Sequence, residues 1–260
     1  MKMAPESPVK RRLGFRRGTY LLPSLFTFGN ILLGFYALVR GSRQEFEIAA
    51  ILIYLAAILD GLDGRIARLT HTESDFGKEL DSLADVLAFG AAPAFLAYMW
   101  GLSRLGRLGW LIPVFFLLCV AIRLARFNVQ TRAVDSRFFV GLPAPAAAGT
   151  VAAVLFFFPN GQTAGSALLI TMTAVLVVVA GLMISTFRFR SFKEFDLKRR
   201  WSYRAAALVA VLLLLIAYNP STVFFSAVIL YTLSGPVEWA IRRRALLRPS
   251  AAKTRTQEER

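Results

Sequence analysis

Between Asp60 and Asp85 the sequence reads DGLDGRIARLTHTESDFGKELDSLAD, flanked by two strongly apolar stretches, FEIAAILIYLAAIL and VLAFGAAPAFLAYMW. Asp60, Asp63, Gly64 and Ala67 are three and four apart, so on a helix they share one face: two carboxylates beside two small residues. Gly77, Asp81 and Asp85 are four apart and make a second face of the same kind. The link THTESDF is short and polar, which makes the two helices antiparallel neighbours and lets the acidic faces meet. Left bare, four carboxylates facing one another in a partly dry site repel strongly. Divalent cations that favour hard oxygen ligands, Mg²⁺ or Mn²⁺, resolve the conflict. Four carboxylates on two helices suit a pair of ions about 3.5–4 Å apart, an arrangement that supports in-line displacement at phosphorus. Gly64, Ala67 and Gly77 leave room for a ligand to approach the backbone, and Arg68 is placed to meet phosphate. Glu73, Asp75 and Glu79 read as solvated charges, and His71 as a loop residue.

The elements that must carry these residues are membrane helices. Of 260 residues, 56% are hydrophobic, more than soluble domains average, and apolar runs of about 20 residues recur, the length that crosses a hydrocarbon core. The expected fold class is all-α: a polytopic helical membrane protein with about eight transmembrane helices. The spans centre on Ser24–Val39, Phe46–Leu59, Leu83–Trp100, Leu108–Ala121, Pro143–Phe158, Ala164–Ile184, Ala205–Ala217 and Ser221–Val237. Lys and Arg gather in alternate loops and in both tails, while FPNGQTAG and YNPS contain none, so both termini and the Asp60–Asp85 stretch are expected on the cytoplasmic side. Residues 1–20 read as a basic cytoplasmic segment without a cleaved signal peptide, 21–245 as the transmembrane domain, and 246–260 as a disordered polar tail. The net charge of +15 punctuates apolar runs instead of forming one basic face. That pattern fits topology and anionic lipid, not nucleic acid. Cys119 reads as a buried small hydrophobe.

Asp60, Asp63, Gly64, Ala67, Arg68, Gly77, Asp81 and Asp85 resemble the signature of the CDP-alcohol phosphatidyltransferase family, D-x-x-D-G-x-x-A-R, eight residues, then G-x-x-x-D-x-x-x-D. Every fixed position and the gap match. The resemblance implies transfer of a phosphatidyl group from a CDP-linked lipid to an alcohol, with release of CMP. It implies that Asp60, Asp63, Asp81 and Asp85 bind two Mg²⁺ or Mn²⁺ ions and that Asp85 also takes the proton of the acceptor hydroxyl. Gly64, Ala67, Arg68, Gly77 and Ser74 would form the CDP-lipid site. PSLFTFGN resembles the family's first-helix motif and adds Ser24 and Thr27 to that site. A homodimer also follows from the resemblance.

RLARFNV, GLPAPAAAG and FRFRSFK, with SDFGKELDSLADVLAFGAAPA as a whole, are similar to the membrane-embedded phosphatidylserine synthase branch of the family. That similarity implies CDP-diacylglycerol and L-serine as substrates at the cell membrane, with Arg126, Asn128 and Arg123 holding the acceptor. An arginine there could grip the serine carboxylate in bidentate fashion. Glycerol 3-phosphate and inositol phosphate are alternative acceptors for the same chemistry. A divalent-cation transporter is the alternative of another class, although transporter sites usually lie near the bilayer midplane.

Overall fold

The computed structural model of the chain describes residues 21–70, 75–130, 138–163 and 165–190, with scattered positions between 210 and 237. Helix α1 (Leu21–Ser42) runs into α2 (Phe46–Thr70) through a tight turn in which the Glu45 amide donates to the Arg40 carbonyl at 3.0 Å. The acidic stretch ends α2 and begins α3 (Asp75–Asp85). From Asp85 the chain continues through one π-helical turn, Val86–Ala91, into α4 (Ala92–Trp100), making a single long rod. A 3₁₀ turn, Leu102–Leu105, leads to α5 (Arg107–Gln130); α6 (Ala144–Phe157) and α7 (Ser166–Ile184) follow.

Among the described residues four helical stretches are long and apolar enough to cross a membrane: Leu25–Ser42, Phe76–Trp100, Arg107–Val129 and Ser166–Ile184. These match four of the eight expected spans. Helix α2 occupies the second, but it extends past Leu59 and carries the acids on its last turns. Helix α6 occupies the fifth and has only 14 residues. The seventh expected span falls largely outside the described residues, and the eighth is described only at scattered positions. One amendment to the all-α expectation is a small antiparallel pair, β1 (Phe138–Val140) with β2 (Arg188–Arg190), Phe139 opposite Phe189. These strands join the polar ends of two helices, where backbone groups have no helical partner and need another. Gly141, at φ +80°, turns the chain out of β1, and its amide donates to the Phe187 carbonyl at 2.8 Å.

The helices meet through small residues. A Cβ at Gly34 of α1 would sit 2.8 Å from Ala88 Cα in the π turn, so these two backbones are as close as they can pack. Ala49, Ala50, Ile53 and Ala56 of α2, and Ala144, Ala147, Ala148 and Val151 of α6, are buried in the same core. Cys119 is buried in it as well. Hydrogen bonds between side chains and distant elements occur within the core, where Tyr54 Oη donates to the Gly149 carbonyl at 3.0 Å and the Thr150 and Thr232 hydroxyls pair at 3.2 Å, and at the two ends of the bundle. At one end Trp100 Nε1 donates to the Phe158 carbonyl at 2.6 Å and Arg104 Nη2 to the Gly161 carbonyl at 3.2 Å. The other end holds the acids. The four long apolar helices mark an integral membrane protein.

Candidate active site

Three of the four signature aspartates converge. Oxygen atoms of Asp60, from α2, and of Asp81 and Asp85, from α3, all lie within 4.8 Å of one another. The i, i+4 spacing of Asp81 and Asp85 sets both on the α3 face turned toward α2. Asp63 is buried beside them and interacts electrostatically with Asp81. Its Oδ2 accepts a hydrogen bond from Thr27 Oγ1 at 3.0 Å. Its Oδ1 is buried with no hydrogen-bond partner among the described residues. Buried carboxylate oxygens without a donor are costly, and a hard cation is the group this donor set would satisfy. The residues present therefore fit a divalent metal, with Asp60, Asp81 and Asp85 able to hold it and the orphaned oxygen of Asp63 adjoining.

Helix α1 faces this cluster. Thr27 and Asn30, one turn apart, are buried, and Asn30 Nδ2 donates to Asp85 Oδ1 at 3.3 Å. Thr27, expected in the nucleotide site, donates its hydroxyl to Asp63. Asn30 was not foreseen, although a polar residue three positions after Thr27 in an otherwise apolar helix was a usable signal.

Of the other expected CDP-lipid residues, Gly64 is exposed on α2, and a Cβ there would meet nothing within 4 Å, so a ligand has backbone access. Gly77 is half-buried on α3. Ala67 and Arg68 lie on the last turns of α2, and Ser24 lies in the first turn of α1. Ser74 lies outside the described residues.

The three expected acceptor residues part company. Arg123 is buried, and its guanidinium interacts electrostatically with Asp85, Asp60 and Tyr231. Arg123 Nε donates to the Leu142 carbonyl at 2.6 Å, which fixes the guanidinium plane and leaves the two Nη groups as its further donors. Arg126 Nη1 instead donates to the Ile184 carbonyl at 3.4 Å, and Asn128 Nδ2 to Ser82 Oγ at 2.9 Å. Tyr231 was not foreseen, because its segment of the sequence carries no motif.

A family model described as CDP-alcohol phosphatidyltransferase matches residues 20–179. A Helicobacter pylori protein named CDP-diacylglycerol–serine O-phosphatidyltransferase is 39% identical over 225 residues, covering 85% of this chain and 91% of that protein. Proteins of the same name from Methanocaldococcus jannaschii and Bacillus subtilis are 39% and 34% identical, covering 64% and 66% of this chain and 72% and 92% of theirs. The match runs from α1 into α7 and includes every residue of the acidic cluster. On these grounds the chain belongs to the CDP-alcohol phosphatidyltransferase family.

Proposed function

We propose that this chain transfers the phosphatidyl group of CDP-diacylglycerol to the hydroxyl of L-serine, forming phosphatidylserine and releasing CMP. The observation that carries the reading is the convergence of Asp60, Asp81 and Asp85 from two helices, in a chain that aligns with 91% of a relative named for this reaction. The serine oxygen attacks the lipid-side phosphorus, and a new P–O bond forms. The bond from that phosphorus to the bridging oxygen breaks, and CMP leaves with the electron pair. The hydroxyl proton passes to Asp85, which thereby makes the weak nucleophile competent. Two Mg²⁺ or Mn²⁺ ions, when bound, would neutralise charge on the pyrophosphate oxygens. Asp60, Asp63, Asp81 and Asp85 would hold those ions. Gly64, Ala67 and Gly77 give the nucleotide access to backbone, Arg68 binds its phosphates, and Ser24, Thr27 and Ser74 complete that site.

Arg123 holds the acceptor carboxylate through its Nη pair, assisted by Arg126 and Asn128. A guanidinium fork matches one carboxylate. The acid-bearing end is where the arginine-rich segments enter and leave the bundle, so it faces the cytoplasm. The remaining organisation is eight spans in residues 21–245, tails at 1–20 and 246–260, both termini cytoplasmic, and a homodimer as the family resemblance implies.

The test is CMP release by purified protein given CDP-diacylglycerol and one alcohol at a time. Serine is expected to support it. Release that depends on glycerol 3-phosphate or inositol phosphate instead of serine would overturn the acceptor, and metal flux without CMP chemistry would favour a transporter. Arg123→Lys, which keeps the charge but loses the fork, is expected to raise KM for serine about 10–100-fold, the cost of a charge-assisted hydrogen bond. KM for CDP-diacylglycerol should stay within about threefold. Initial rates at varied serine check this, and an unchanged KM for serine would remove Arg123 from the acceptor site.

A further inference from the structure

The most buried polar side chain at the site belongs to a residue with no place in the signature. Asn30 is 1% exposed on α1, and its amide nitrogen donates to Oδ1 of Asp85, itself 8% exposed, across 55 positions of sequence. A carboxylate attached by one rotatable bond can swing its two oxygens between inequivalent positions. One donor fixed on one oxygen removes that freedom. The donor is itself held, because Gly34, one turn further along α1, packs against the Ala88 backbone only three residues beyond Asp85. Asn30 Oδ1 has no hydrogen-bond partner among the described residues. The amide therefore gives up one of its own interactions to keep Nδ2 on the carboxylate. The reverse orientation would set two oxygens against each other, so it does not compete.

We propose that Asn30 is a positioning residue for phosphatidyl transfer: it ties Oδ1 of Asp85 to α1 and so assigns Oδ2 as the oxygen that receives the acceptor's proton. This inference rests on the reading of Asp85 as the base. The hydrogen bond of Asn30 goes to Asp85, and its effect passes through Asp85. Thr27 does the same for Asp63 from one turn earlier, leaving Oδ1 of Asp63 buried with no hydrogen-bond partner among the described residues. Helix α1 thus orients one carboxylate from α2 and one from α3 with two donors spaced i, i+3.

The test compares Asn30→Leu, which keeps the volume and loses the donor, with Asn30→Gln, which keeps an amide on a longer arm, in full-length protein in lipid nanodiscs. For Asn30→Leu, kcat is expected to fall about 10–100-fold, the range for removing a group that orients a ligand or base, with KM for CDP-diacylglycerol unchanged. Asn30→Gln recovers part of the loss. A second readout does not depend on turnover with acceptor: the ratio of CMP released by hydrolysis, without alcohol, to CMP released by transfer rises in Asn30→Leu, because water needs no fixed base oxygen to the same degree. A third is the rise in Tm produced by Mg²⁺, which is smaller when Asp85 is unlocked. A kcat for Asn30→Leu within twofold of wild type overturns the proposal. So do equal losses in Asn30→Leu and Asn30→Gln accompanied by equal falls in Tm, which would mean packing alone. The comparison is run with whichever alcohol supports CMP release in the wild type, so a wrong acceptor and a wrong role for Asn30 give different results.

Discussion

Asp85→Asn is expected to lower kcat by about 10³-fold, within the 10²–10⁴-fold that a positioned general base supplies, while CDP-diacylglycerol still binds. The substitution is nearly isosteric. It keeps an oxygen that can accept from Asn30 Nδ2, and it leaves Asp60 to face Arg123. What it removes is the site for the proton. Without that site the serine hydroxyl must attack while still carrying its hydrogen. Binding of CDP-diacylglycerol in nanodiscs, measured beside initial rates, separates the two steps. A kcat within tenfold of wild type would show that another group takes the proton. A thermal melt excludes loss of fold: replacing a buried carboxylate among Asp60 and Asp81 relieves repulsion, so Tm without metal should not fall.

Chelation is the second large effect. Three carboxylates whose oxygens lie within 4.8 Å repel one another; at the effective dielectric of a partly buried site each pair costs roughly 3 kcal/mol. Removing divalent cations with EDTA is expected to abolish CMP release and to lower Tm, and Mg²⁺ or Mn²⁺ should restore both, since a ligand bound only by the folded state stabilises it in proportion to the logarithm of its concentration over Kd. Asp81→Asn gives the opposite pairing. Without metal it should melt at or above the wild-type temperature, because one repulsive partner is gone, yet it should gain less from added metal and turn over little substrate. Activity that survives exhaustive chelation would remove the metal from the reaction and leave the acidic cluster without a purpose.

Much of the site was legible because helical periodicity is a local rule. Asp60 could be set on one helix face, and Asp81 with Asp85 on another, from their spacing. Four of the spans were legible for a related reason, since a hydrocarbon core demands a minimum apolar length. What escaped depends on how helices pack against each other. Thr27 and Asn30 sit in an apolar run in which nothing local says that one serves Asp63 and the other Asp85; that is decided by the close approach of α1 at Gly34 and Ala88. The π turn at Val86–Ala91 leaves no pattern in Val-Leu-Ala-Phe-Gly-Ala, since an extra residue in a turn shifts the phase of everything after it without changing composition. Both arginines of RLARFNV read in sequence as holding the acceptor. In the structure Arg123 turns into the bundle toward Asp85, while Arg126 reaches the end of α7.

The shortness of α6 has a bearing on how the two reactants meet. Fourteen residues rise about 21 Å, some 9 Å less than a hydrocarbon core. Set with Phe157 at one boundary of such a core, α6 would bring its start, and with it the Leu142 carbonyl and the guanidinium it holds, beneath the phosphate level of the opposite leaflet. A lipid donor would then react near its resting depth, its acyl chains still among their neighbours. The small water-soluble partner is the one that travels, sinking from the aqueous phase into a charged recess below the surface of the bilayer.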